Sequence, residues 1–226
     1  MFRFPPLTPV VKVWLATTLA AMIGLMVGHN FLGMGIVEKI ALSSGLRLET
    51  LWQVVTYPLA QSPTSEGLTG YLISAVFFWL VVAPFEIQWG RRMLVQLLIA
   101  ITLGAALVAI PVGLFLGGGV FGFGPHVLGV IAAYAWAIRH RGQLNFFGVL
   151  PMKAVHLIGL CVFLSLLRFL AQPNAMAFAA DLGGVAVGVF YMWRLERPKP
   201  PKKGDKEKKR SSSHLQVIDG GKHWLN

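Results

Sequence analysis

Charge is scarce in this chain, and acidic charge is scarcer still. Of 226 residues 13% are charged, with nine Asp and Glu against twenty Lys and Arg. A soluble domain is about a quarter charged, so an ordinary soluble fold is excluded. Cysteine is nearly absent. The lone Cys161 rules out an intrachain disulfide, says nothing about redox compartment, and reads as a small core hydrophobe. No Lys with Ser or Thr follows the run "LGGGVFGFG" (116–124) in the P-loop arrangement, so that run is read as a flexible loop and not a phosphate cradle. What the chain does have is apolar length: 55% of it is hydrophobic and the mean hydropathy is +0.65. These features define an integral membrane protein of one domain.

A bilayer core about 30 Å thick takes roughly 20 apolar residues as helix. Six stretches qualify: residues 10–32, 68–82, 93–116, 125–138, 152–171 and 174–193. The second is expected to stop near Pro84, and Pro111 to kink the third. The second and fourth are short, as suits helices surrounded by protein rather than lipid. The first is read as an uncleaved span, since five more follow it and no convincing signal-peptide cleavage site does.

Basic residues orient the bundle. Arg3, Lys12, Arg91, Arg92, Arg139, Arg141 and Lys153 fall on one side together with the tail, and only Lys39, Arg47 and Arg168 on the other. This bias supports six spans and predicts both termini in the cytoplasm, with a bacterial inner membrane as the expected location. Residues 33–67 then form a long first outer loop, whose pieces "GIVEKIALSS" and "LETLWQVVTYPL" read as interfacial. The expected domains are a membrane domain over 1–193 and a disordered basic tail over 194–226, opened by "RPKPPKKGDKEKKR". The tail anchors topology or meets anionic lipid head groups. Charge that flanks spans points to the bilayer as partner and not to nucleic acid.

Five pieces stand in order: "LWQVVTYPLAQ" (51–61), "PFEIQWGRR" (84–92), "GFGPHVLGVIAAYAWA" (122–137), "FFGVLPMKA" (146–154) and "ADLGGVAVG" (180–188). Together they resemble the rhomboid family of intramembrane serine proteases, over roughly residues 40–193. The resemblance implies an all-α, six-transmembrane-helix bundle whose short fourth helix starts from a water-filled hollow. It also implies a Gly-x-Ser-Gly serine at the head of span four and a histidine on span six. Here Gly122, Gly124 and Pro125 fall on that motif, with Gly124 at the serine, and Asp181 falls on the histidine. Ser74 falls on the span-two asparagine that helps hold the oxyanion, and Gly70 where a second histidine is usual.

Covalent catalysis needs an oxygen or sulfur nucleophile and a base within hydrogen-bond reach. Glycine supplies no nucleophile, and a carboxylate inside a membrane helix is no substitute for an imidazole poised near neutral pH. The expectation is a pseudoprotease that binds transmembrane segments of client proteins. One alternative is an active serine protease with a displaced nucleophile, for which Ser74 and Ser165 are the serines inside spans. The other is a small-solute or proton pathway, which lacks an internal repeat.

A carboxylate at a helix centre in lipid costs about 2.5–3.5 kcal/mol on insertion scales, so Asp181 needs a partner. His126, two residues after Gly124, is the expected one. Those two ligands fall short of a zinc site, with His156 at the other end of span five and His29 interfacial, so neither metal nor cofactor is expected. Gly129 and Ala133 on span four and Gly184 and Gly188 on span six have the small-xxx-small spacing that lets helices meet closely. Glu86 and Arg92 are read as structural residues closing the turn after span two.

Overall fold

Inside a bilayer every backbone N–H and C=O must find its partner within the chain, and the helix does this segment by segment. The computed structural model, which describes residues 4–45, 48–140, 143–146 and 150–196, is accordingly mostly helical. Its helices are α1 (Pro9–Leu32), α2 (Ile36–Ile40), α3 (Gln53–Thr56), α4 (Ser65–Trp89), α5 (Arg91–Leu116), α6 (Gly124–Ile138), α7 (Ala154–Ala171) and α8 (Ala175–Glu196). Among the described residues α1, α4, α5, α7 and α8 are long and apolar enough to cross a membrane, while α6 is shorter. The chain divides into two units, Met1–Arg194 and Leu195–Asn226. The predicted tail lies outside the described residues from 197 onward.

Two span boundaries differ from expectation. Pro84 does not end the second span, because α4 continues through it to Trp89. A proline costs a membrane helix less when neighbours pack against the freed backbone. Here Val82, Ala83 and Phe85 are buried, and the Phe85 ring meets Trp89 at 4.6 Å. At 25 residues α4 is about 37 Å long at the helical rise, so it is not a short span. Gly90, with φ +85°, then turns the chain directly into α5, which likewise continues through Pro111. The helix of the fifth expected span, α7, starts at Ala154 and not at Met152, because Leu150–Lys153 (β4) pairs with Gln143–Phe146 (β3) as an antiparallel hairpin.

α6 is 15 residues long, about 22 Å, and short of a bilayer core. It is surrounded by protein: Pro125, His126, Val127 and most residues through Ile138 are buried. Its approach segment is not the free loop the glycines suggest. Gly119–Val120 (β2) pairs antiparallel with Leu42–Ser43 (β1), and the Asn174 amide donates to the Gly119 carbonyl at 2.8 Å. Val120 and Phe123 are buried as well. The glycines serve the backbone here: Gly117, Gly118 and Gly122 have φ of +73°, +105° and +84°, values that side-chain-bearing residues rarely adopt.

α6 and α8 touch backbone to backbone. A β-carbon added to Gly184 would lie 2.5 Å from the Pro125 carbonyl oxygen, and one on Gly129 would lie 2.7 Å from that of Gly184. One on Gly188 would run into the Gly129 carbonyl. Ala133, one turn on, is fully buried. A large side chain at the crossing must force the helices apart, and overpacking costs about 1–3 kcal/mol or more. Gly184→Leu is therefore expected to lower the thermal midpoint of the detergent-purified chain and to shift it from monodisperse to aggregated in size exclusion. A normal melt and elution profile would count against the packing.

Candidate functional site

The head of α6 opens into a hollow of about 360 Å³. α4 supplies one wall with Gly70, Tyr71 and Ser74, and the segment ahead of it brings Gln61 and Thr64. The start of α4 is fixed by its N-cap, the Thr64 hydroxyl accepting from the Gly67 N–H at 3.1 Å. Gly122, Phe123 and Gly124 form the floor, and Arg168 of α7 closes the far side. The structure thus gathers Gly70, Ser74, Gly122 and Gly124 around one space, although they come from separate stretches of the chain.

Asp181 stands beside this floor, one turn ahead of the Gly184 crossing, and is 1% exposed. Its Oδ2 accepts from the Ser165 hydroxyl at 3.2 Å and faces the Arg168 guanidinium at 3.4 Å. Its Oδ1 is buried without a hydrogen-bond partner. It lies 3.5 Å from where a Gly124 β-carbon would sit, at the N-terminal end of α6. The positive end of a helix dipole favours a carboxylate there. Arg168 Nη1 itself lies 2.7 Å from the same point. A side chain at position 124 would therefore require the guanidinium group to shift.

The expected pair of His126 with Asp181 does not form. Two residues along an α-helix turn it by about 200°, so His126 leaves α6 on the side opposite Gly124. Its Nε2 sits 2.7 Å from the Thr102 hydroxyl of α5, and its ring lies 5.2 Å from Trp14 and 5.9 Å from Tyr57. The Thr102 hydroxyl donates to the Leu98 carbonyl at 2.8 Å, so Nε2 is the donor to Thr102 and not a base for it. The result is a structural cluster, fully buried, with Nδ1 unpartnered. Tyr57, in the segment ahead of α4, donates to the Thr102 carbonyl at 3.3 Å. Burial, and next the charge of Asp181, push its hydroxyl well above the usual phenol range, so it stays a donor.

The remaining predicted residues separate. Ser165 is bonded to Asp181 and not to a histidine, and Ser74 lines the hollow half-buried. Glu86 accepts from the Val10 N–H at 3.2 and 3.3 Å, tying α4 to the start of α1. The basic partner beside it is Arg91, at 3.6 Å, while Arg92 is exposed and takes no part. Arg91 adjoins the turn at Gly90, which explains the exchange. Among the described residues no cluster of His, Cys, Asp or Glu could hold a metal, and His29 and His156 are exposed and apart.

Sequence reasoning missed Arg168, which counted only as an outer-loop charge. The signal was available: α7 and α8 are joined by three residues, Gln172–Asn174, so the end of α7 runs back along the start of α8. An aspartate in the first two turns of α8 then calls for a cation in the last two turns of α7.

The Rhomboid domain family model matches residues 48–198, well over half of the chain. No curated protein matches it.

Removing one member of a buried ion pair costs about 3–5 kcal/mol when the other is left buried and charged. Arg168→Gln leaves Asp181 in that position, whereas Asp181→Asn leaves only a half-exposed arginine and keeps the Ser165 contact. The Arg168 side chain is 42% exposed, so solvent screens part of that cost: Arg168→Gln is expected to destabilise by about 1 kcal/mol and Asp181→Asn by less. A double-mutant cycle should show coupling between the two, and additivity between Asp181→Asn and His126→Gln. Denaturant melts of the three single and two double variants measure this; coupling of Asp181 to His126 would contradict the geometry.

Proposed function

The chain belongs to the rhomboid family, and from that membership we propose that it is a pseudoprotease, holding segments of other membrane proteins without cleaving them. The observation that carries this reading is the arrangement at the head of α6. The position matched to the serine is Gly124, and the space beside it holds Arg168 on Asp181. Glycine supplies no nucleophile and the guanidinium is not one, and among the described residues no imidazole borders the hollow. What supports binding is the hollow itself, with Gln61, Ser62, Thr64 and Ser74 offering hydrogen bonds to an unwound segment. We place both termini in the cytoplasm of a bacterial cell by charge bias, with the tail of 194–226 resting on anionic lipid.

A second reading, a protease with a displaced nucleophile, rests on Ser74, the one hydroxyl of the matched positions that lines the hollow. A fluorophosphonate probe separates the two. The purified chain is expected to remain unlabelled and to leave a transmembrane substrate intact in proteoliposomes, and a labelled band lost in Ser74→Ala would revive the enzyme. A photo-crosslinker placed at position 74 is expected to capture co-reconstituted single-span peptides. The double replacement Gly124→Ser with Asp181→His places a hydroxyl beside the Arg168 guanidinium, which must shift to make room; proteolysis gained by that variant would agree with the loss of those two groups as the cause of inactivity. Cleavage by the native chain would refute the reading.

A further inference from the structure

An apolar slot of about 530 Å³ lies between α1 and α5, and nothing in the site above uses it. Its middle is formed by exposed side chains such as Val13 and Ile99, 68% and 54% exposed. One end is closed. Pro58 and Leu59 lie across it where α1 and α5 bring Thr18 and Thr102, and the adjoining Tyr57 is bonded to the Thr102 carbonyl. The other end, at Val10 and Val95, is where both helices begin.

The hydroxyls of Thr17, Thr18 and Thr102 that line the slot donate to the carbonyls of Val13, Trp14 and Leu98 on their own helices. The indole N–H of Trp14 has no partner but is buried away from the slot's surface. An occupant's body must therefore be apolar. Its length is bounded too. From Val95 to Leu103 the slot runs about 12 Å at the helical rise. That is close to one leaflet, half of a hydrocarbon core of about 30 Å. A helix crossing the whole bilayer would meet Pro58 and Leu59 midway.

The open end is basic. Val10 is bonded to the buried carboxylate of Glu86, which stands 3.6 Å from Arg91, whose side chain is 68% exposed. Arg91 and Arg92 precede Val95 by one turn on α5, and both are exposed. An apolar, leaflet-deep slot with cations at its mouth matches an amphiphile with an anionic head. We propose that it binds one acyl chain of an anionic phospholipid, whose phosphate rests on Arg91 and Arg92.

The inference is independent of client binding and is tested on the full chain purified in detergent. Phosphatidylglycerol and phosphatidylcholine of identical chains are titrated separately and retention is read by native mass spectrometry. Phosphatidylglycerol should be held at one per chain and at least about tenfold more tightly, since each basic residue near a surface adds a few-fold. Ile99→Trp, which fills the slot, should abolish that retention, and Val55→Trp from the closed end serves if the first variant fails to fold. Arg91→Gln and Arg92→Gln combined should reduce phosphatidylglycerol to the level of phosphatidylcholine. Equal retention of the two lipids by the native chain would overturn the proposal, as would undiminished retention in a slot-filled variant that melts normally. Displacement of the retained lipid by a single-span peptide would give the slot to a helix and overturn it as well.

Discussion

The close approach of α6 and α8 is the constraint on which the rest depends. Lipid tails are as apolar as the side chains they touch, so helices in a bilayer gain little by hiding leucine from them. They gain by coming near enough for many weak contacts, which requires small residues. Gly184 against Pro125 and Gly188 against Gly129 give the two helices a parallel register. That register brings Asp181 to the Gly124 end of α6. The polar chemistry at the head of α6 is thus a consequence of where four small residues allow backbone to meet backbone.

The electrostatics follow from that placement. A carboxylate held away from water must be offset by donors and positive charge. Asp181 has a hydroxyl, a guanidinium and the positive end of a helix around it. The imidazole two residues into α6 belongs to a different cluster on the opposite flank, facing α5 and α1. α6 therefore separates two polar groups, Asp181 of α8 on the Gly124 flank and its own His126 on the other. Only the first of them adjoins the hollow, and there the guanidinium is the feature that a bound segment would meet.

The helices were legible because long apolar runs leave the backbone no alternative in lipid. The glycine faces were legible from their spacing of four. What the sequence did not reveal were effects that depend on a neighbour. Pro84 reads as a stop, yet packing around Phe85 carries α4 past it. The run ahead of α6 reads as flexible, yet a two-residue ladder with Leu42–Ser43 and a bond from Asn174 hold it. His126 and Asp181 are close in any alignment of the two helix heads, and only the rotation along α6 separates them. Arg168 was visible as a charge, but its role depended on recognising α7 and α8 as a tight hairpin.

The pinned segment before α6 also bears on how anything could enter the hollow. Its floor is stitched on one side to the strand after α2 and on the other to the residue that starts α8, so three connections are joined as a single piece. A floor held in this way cannot drop to admit a guest. The carboxylate and the guanidinium beside that floor thus keep their place through connections that lie between helices and not within them.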